Sequence, residues 1–494
     1  MDLLAFVRGC TFDDFLFTPQ LGVVPSRDPA TIDLSTRFSQ RLTIQRPIVS
    51  ANMDTVTRAA MATVVAEEGG IGVIDRGFQA GDIEPQVEEV TKVKRTQHGT
   101  ISDPHAIRDT AQVADAVKLM RRTHVGTLVV VDEHGRLAGL LTERDIRFVS
   151  SDQPVAQRMT PRDRLIVHVG PIGLPEAERV MAARKIKKLP LIDADGRVKG
   201  LITARDLLKH EHQPFATRDD QGRLRVAAAV GATGDFLERA GEVLRAGADA
   251  LVIDIAHGHS LVMDRAIAAL RRQYGDVELV AGNVATAEGV RFLIERGVNA
   301  VKVGIGPGGG CTTRLATNFG VPQVEALVRC RDAANEDVPL IADGGIKRDG
   351  AMAQALLFGG DSVMLGSAFA GTQETPGDVV LKPVLMPESQ KIVQVPFKVF
   401  RGMASIGAVR DRLDLEDAEP GEVEAIGAEG LEVSVPARGS VRVVIHDMLK
   451  HLCSAISYGG ARSLGELQRG FRADPSRYLV RLSEASRTES FHRS

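Results

Sequence analysis

The sequence predicts an α/β fold, a (β/α)8 barrel of the TIM type interrupted by an inserted tandem module. Three observations carry this expectation. Eight short apolar runs end in small or polar residues, helix-like stretches lie between the later runs, and the one long gap contains an internal repeat. Runs that are apolar throughout, rather than alternating, mark strands buried on both faces of a parallel sheet.

The runs are Pro47-Ile-Val-Ser-Ala, Gly70-Ile-Gly-Val-Ile, Val226-Ala-Ala-Ala-Val, Ala250-Leu-Val-Ile-Asp, Glu278-Leu-Val-Ala-Gly, Ala300-Val-Lys-Val-Gly, Pro339-Leu-Ile-Ala-Asp and Ser362-Val-Met-Leu-Gly. From Val226 onward their starts are 24, 28, 22, 39 and 23 residues apart, room for a strand, a helix and two turns. Asp235 to Arg245 and Ala287 to Arg296 read as such helices. A doubly wound dinucleotide-binding sheet is the competing fold. Its G-x-G-x-x-G would open a helix after the first strand of the unit, whereas the glycine-rich loop here comes far along the series. In a barrel the functional groups sit at the C-terminal ends of the strands. Asp54, Asp254, Asn283, Cys311, Asp343 and Ser367 all fall there.

Between the second and third runs lies an interruption of about 130 residues. Within it, the sixteen residues from Val131 match those from Ile192 at a constant offset of 61. Each copy reads as strand, Asp/Gly turn, strand, then a helix opening at Thr142 or Thr203. Two such copies bury a shared face. The expected organisation is therefore residues 1–96 as the N-terminal part of the barrel, 97–215 as the insert (repeats about 97–150 and 155–212), and 216–494 as the rest of the barrel with its loops and tail.

Composition narrows the function classes. With 61 basic and 64 acidic residues there is no electrostatic footprint for nucleic acid. The four cysteines, Cys10, Cys311, Cys330 and Cys453, form no C-x-x-C pair, which fits a reducing cytosol better than a disulfide framework or a zinc site. No apolar run reaches the ~18 residues of a membrane span, and Met1 to Val7 does not read as an export signal. A cytoplasmic protein without nucleic-acid or membrane partners is expected.

The most informative segment is Lys302 to Gln323. Gly304, Gly306, Gly308, Gly309 and Gly310 lead to Cys311, followed by Thr312, Thr313 and Arg314. Glycines allow a ligand to approach the main chain, or carbonyls to turn toward an ion. A thiol beside a fixed cation is a candidate nucleophile; the alternative is a strand-to-helix turn with a core cysteine. His257 and His259 stand at i and i+2, on opposite sides of an extended segment, which argues against a metal pair.

Six segments in order carry a resemblance: Val252-Ile-Asp-Ile-Ala-His-Gly-His-Ser, Ala281-Gly-Asn-Val, the Cys311 loop, Ala342-Asp-Gly-Gly, Met364-Leu-Gly-Ser and Arg401-Gly-Met-Ala-Ser. Together they resemble the IMP dehydrogenase and GMP reductase family over nearly the whole chain. The repeat resembles a tandem CBS module, which dehydrogenases of that family carry at this place. The resemblance implies NAD-dependent oxidation of IMP to XMP in guanine nucleotide synthesis, through a covalent Cys311 thioimidate. It implies catalytic roles for Thr313 and Glu429 and nucleotide binding by Met53, Asp343, Gly345, Gly366, Ser367, Gly402, Met403 and Glu429. Asp254, Asn283 and Arg314 would serve the cofactor side. A potassium ion would be held by carbonyls of Gly306, Gly308 and Cys311, with Glu489 in the tail segment Thr488-Glu-Ser-Phe-His completing the site from a neighbouring subunit. A homotetramer or octamer follows. The CBS pair would bind ATP or GTP through Thr142, Asp145, Thr203 and Asp206, or act as a spacer.

Departures keep alternatives open. Gly309 stands where family loops carry a serine, and Phe400 where a phosphate-binding tyrosine is common. The flap lacks an Arg-Tyr pair; Arg412, followed by Leu413, is the nearest candidate to activate water. Asn52 and Ile255 resemble reductase residues, while His259-Ser260, the long flap and the tail resemble dehydrogenases. An NADPH-dependent GMP reductase, forming IMP and ammonia, is the alternative reading, and a catalytically degenerate nucleotide sensor the lesser one.

Overall fold

The structure is a computed structural model that describes residues 1–79, 81–96, 104–123, 125–204, 207, 213–334, 336–386, 391–413 and 428–490. It divides into two compact units: Met1–Lys94, Phe215–Asp219 and Leu224–Ser494 form one, and Arg95–Pro214 with Asp220–Arg223 the other.

The first unit is built on a closed parallel barrel of eight strands. They are β1 (Ile48–Ser50), β2 (Ile71–Ile74), β3 (Val226–Val230), β4 (Ala250–Asp254), β5 (Leu279–Val284), β6 (Ala300–Val303), β7 (Leu340–Asp343) and β8 (Ser362–Leu365). β8 closes on β1, with Met364 opposite Val49. All eight apolar runs are thus barrel strands, and closure excludes the doubly wound sheet.

Period-2 alternation explains why the runs are apolar throughout. Val49, Val73, Ala227, Ala229, Val252, Val280, Ala300, Ile341 and Met364 pack together inside the barrel, over a base of Phe38, Leu42 and Ile44. Their neighbours Ala228, Leu251, Ile253, Ala281, Val301, Ala342 and Val363 face outward into the layer of helices. Phe236–Arg245 and Ala287–Glu295 are among those helices; in the second, the Thr286 side chain accepts from Gly289 N. A three-stranded antiparallel sheet, β9 (Val380–Met386), β10 (Lys391–Arg401) and β11 (Glu432–Pro436), follows the barrel.

In the second unit the repeat is structural as well as sequential. Helix Val113–Thr123 and strands Thr127–Val131 and Leu137–Thr142 return 61 residues later as Leu174–Arg184, Lys188–Ile192 and Val198–Thr203. In each hairpin an aspartate closes the turn: Asp132 Oδ1 accepts from the amides of His134 and Arg136, and Asp193 Oδ1 from those of Asp195 and Arg197. Val129, Leu137, Leu140, Ile192 and Leu201 form the apolar face common to both copies. After Thr142 the chain forms turns rather than the expected helix. Asp145 Oδ2 accepts from both the amide and the hydroxyl of Thr142, each at 2.7 Å, and this local bonding competes with helix propagation. Asp206 lies outside the described residues.

Candidate active site

The C-terminal ends of the barrel strands open into a cavity of about 400 Å³. Its floor is polar because four strands end there in hydrogen-bonding side chains: Asp254 on β4, Asn283 on β5, Lys302 on β6 and Asp343 on β7. Lys302 Nζ lies 2.8 Å from Asp343 Oδ2 and 3.4 Å from Asp254 Oδ1. Asn283 Nδ2 donates to Asp343 Oδ2 at 2.9 Å and to the Gly304 carbonyl at 2.7 Å, while its Oδ1 is buried without a partner.

The glycine loop rises from β6 over this floor. Gly304 has φ 147°, and a Cβ there would come within 2.1 Å of the Asp343 carbonyl. Gln323 Nε2 donates to the Val303 and Asp343 carbonyls and so holds the ends of β6 and β7 together. At its far end the loop pairs with two other segments. Cys311 bridges Gly430, Thr312 N donates to the Glu429 carbonyl, and Leu431 N donates to the Gly310 carbonyl. A Cβ at Gly402 would sit 2.5 Å from that same Gly310 oxygen.

This crossing brings three reactive groups into line. The Cys311 thiol donates to Thr313 Oγ1 at 3.2 Å, and the Thr313 hydroxyl donates to Glu429 Oε2 at 2.7 Å. Thr313 opens a short helix, α1 (Thr313–Thr317); Glu429 is separated from it by 116 residues of sequence. A thiol, a hydroxyl and a carboxylate in sequence form a path for moving a proton away from sulfur.

Met53, Gly345, Gly366, Ser367, Gly402 and Met403 also line the cavity. Met403 Sδ accepts from Asp54 N at 3.4 Å. Gly309 faces Ser367, with 3.4 Å from a Cβ at 309 to Ser367 Oγ, and Phe400 is buried beside Gly310. Arg314 does not line the cavity. Its guanidinium lies beneath the loop, against Gly306 and Gly320, and donates to the carbonyls of Ile305 and Val321, so it braces the loop from below. Arg412 falls in the helix α2 (Ile406–Leu413), but its side chain lies outside the described residues, as do residues 414–427. Glu489 is exposed on the helix Glu484–Ser490.

Among the described residues no three His, Cys, Asp or Glu side chains gather as a metal site. The two histidine rings are 6.3 Å apart, and His259 packs on Phe292 instead. A cation in the glycine loop would therefore rely on main-chain carbonyls, of which that of Gly308 accepts from Cys311 N at 3.1 Å.

Lys302 and Arg401 took no part in the roles read from the sequence. Lys302 was legible in principle: it interrupts an apolar strand at an inward position, shared with Ala300, where a charge must be paired. Arg401 grips Asp54 at 2.6 Å and Asp411 at 2.5 Å, with Glu432 at 3.7 Å. Burial disfavours its charge, but Asp54 and Asp411 outweigh that and raise its pKa. Its partners come from three segments, so no local pattern announces it.

A cavity with a polar floor at the C-terminal mouth of the barrel, with a thiol on the loop above it, defines a (β/α)8-barrel enzyme. The family model for the IMP dehydrogenase / GMP reductase domain matches residues 9–492. The chain belongs to that family. It is 41% identical over 465 residues to an inosine-5′-monophosphate dehydrogenase of Aquifex aeolicus, covering 93% of this chain and 91% of that one. It is 39% identical over 495 residues to the corresponding enzyme of Nitrosopumilus maritimus, covering 99% and 98%. Among solved structures, a GMP reductase from Trypanosoma brucei in complex with guanosine 5′-monophosphate superposes with a TM-score of 0.88 at 34% identity, over 100% of both chains.

Proposed function

We propose that the protein is an NAD-dependent IMP dehydrogenase. The observation that carries the reading is the Cys311, Thr313, Glu429 chain over the polar floor, in a sequence whose relatives at about 40% identity are named for that activity. Cys311 loses its proton through the Thr313 hydroxyl toward Glu429, and the thiolate adds to C2 of the purine. Bound nicotinamide supplies the hydride acceptor for C2. Glu429 gives the Cys311 proton to solvent, the one released in the net reaction. Water then attacks the Cys311 thioimidate, Thr313 and Glu429 take a proton from it, and that proton returns to the sulfur as XMP leaves and the thiol is restored. The net change is IMP, NAD⁺ and water to XMP, NADH and a proton. Asp343 accepts from the ribose hydroxyls, the amides near Gly345, Gly366 and Ser367 meet the phosphate, and Met53, Gly402 and Met403 contact the base. The unpartnered Oδ1 of Asn283 suits an amide donor such as that of nicotinamide, with Asp254 beside it.

The same reading extends to a potassium ion on carbonyls of Gly306, Gly308 and Cys311, a homotetramer in which Glu489 reaches a neighbour, a cytosolic location, and a CBS-type insert over 97–215 that binds ATP or GTP. No described helix is long and apolar enough to cross a membrane.

GMP reduction is the second reading, favoured by the superposition on GMP reductase. The two are separated by paired turnover assays. IMP with NAD⁺ should generate NADH; oxidation of NADPH with GMP in place of that reaction would reverse the assignment, and inertness in both would point to a sensor.

A further inference from the structure

Lys302 stands on the inward face of β6 with its side chain 5% exposed, in contact with both floor carboxylates. On the far side of Asp254, Arg76 lies 3.7 Å from Oδ2 and donates to the Asp254 carbonyl at 3.0 Å. Arg76, Asp254, Lys302 and Asp343 thus form a row of alternating sign whose formal charges cancel. Its neutral neighbours are Asn52, which shares the cavity lining with Asp254, and Asn283, bonded to Asp343. Strand register builds the row: Asp254 is opposite Gly282, and Gly282 opposite Lys302. A Cβ at Gly282 would come within 2.6 Å of Lys302 Cβ, so the glycine leaves the space the lysine stem occupies.

Burial works against the Lys302 charge, but Asp343 and Asp254 hold its pKa above the ordinary value. Burial also pushes the Asp254 carboxyl up, and Lys302, Arg76 and Asn52 outweigh it and hold it low. Arg76 is committed to Asp254. Lys302 is the cation paired with Asp343 among the described residues.

Resting on the reading that Asp343 receives the nucleotide sugar, we propose that Lys302 is a positioning residue that holds Asp343 oriented as the acceptor for the ribose hydroxyls. A carboxylate that loses the cation fixing one of its oxygens is freer to turn, and ordering it again on binding costs affinity. The lysine acts through Asp343 and does not itself touch the nucleotide.

The experiment is calorimetric titration of the full chain with IMP, and separately with GMP, at one pH near neutrality. The readout is the ratio of variant to wild-type Kd. For Lys302→Met, and for Lys302→Gln, which keeps a hydrogen-bond donor without the charge, the ratio should be at least about ten. Lys302→Arg should keep the ratio near one. A ratio near one in the Met and Gln variants, or failure of both to fold while the Arg variant folds, assigns the lysine to the fold alone and overturns the proposal. Wild-type protein that binds neither nucleotide overturns the functional reading beneath it, a result distinct from binding with a ratio near one.

Discussion

The Cys311 thiol, the Thr313 hydroxyl and the Glu429 carboxylate form a chain whose links are 3.2 and 2.7 Å long. Its parts are not equivalent. Cys311→Ala removes the only group in the line able to form the covalent bond, so turnover should vanish while calorimetric nucleotide affinity persists; residual turnover would sink the nucleophile assignment. Glu429→Gln keeps a hydrogen bond to Thr313 but cannot take a proton. A general base in this position contributes about 10²- to 10⁴-fold, and kcat should fall by that order with little change in Tm. Thr313→Ser should retain most of kcat, whereas Thr313→Val should lose about as much as Glu429→Gln, since both cut the same path. Equal activity in the Ser and Val variants would show that the hydroxyl is idle.

At the scale of elements, the site depends on a crossing of backbone segments that only glycines permit. The segment holding Glu429 reaches Cys311 because Gly310, Gly402 and Gly430 pass one another without side chains; Cβ atoms there would sit 3.0 Å from Gly402 N, 2.5 Å from the Gly310 carbonyl and 2.6 Å from Ser405 N. Arg401 secures the same crossing by tying β10 to Asp54 after β1 and to Asp411 on α2. The Asp411 side chain is 53% exposed, so Asp411→Ala should cost less than about 1 kcal/mol of stability. If α2 must be held beside the site, kcat should nevertheless fall several-fold; an unchanged kcat would show that the tether is dispensable. This layer was only partly legible in the sequence. The glycines of the Cys311 loop announce a close approach, but what they approach lies about a hundred residues onward, at a distance no periodicity encodes. Arg314, which the resemblance puts with the groups of the cofactor side, gives its guanidinium to the carbonyls of Ile305 and Val321, a partnership its place beside the thiol does not reveal.

For the whole molecule, the barrel was legible because a strand buried on both faces leaves little choice of residue, and eight such strands repeat the signal. The 61-residue offset gave the insert's hairpins for the same reason, whereas the turn after Thr142 was missed because a single aspartate decides it. Buried charge is the part least visible in sequence, since its partners are remote, and Asp75 is the instance with a consequence for the entire fold. It is fully buried at the end of β2, 3.3 Å from Arg58 Nε, and accepts from Gly77 N at 2.7 Å. Burial dominates over Arg58 and pushes its carboxyl up to about 6 from 3.8. The folded state therefore holds a proton that the unfolded chain has already released between those values, so this group's contribution to stability declines as pH rises from about 4 to about 6 and is flat beyond. A shift of that size corresponds to about 3 kcal/mol. Asp75→Asn carries no such titration, so in denaturant unfolding its stability relative to wild type should rise by up to that amount between about pH 4 and about pH 7. A difference that stays constant across the range would mean that Arg58 keeps Asp75 ionised throughout.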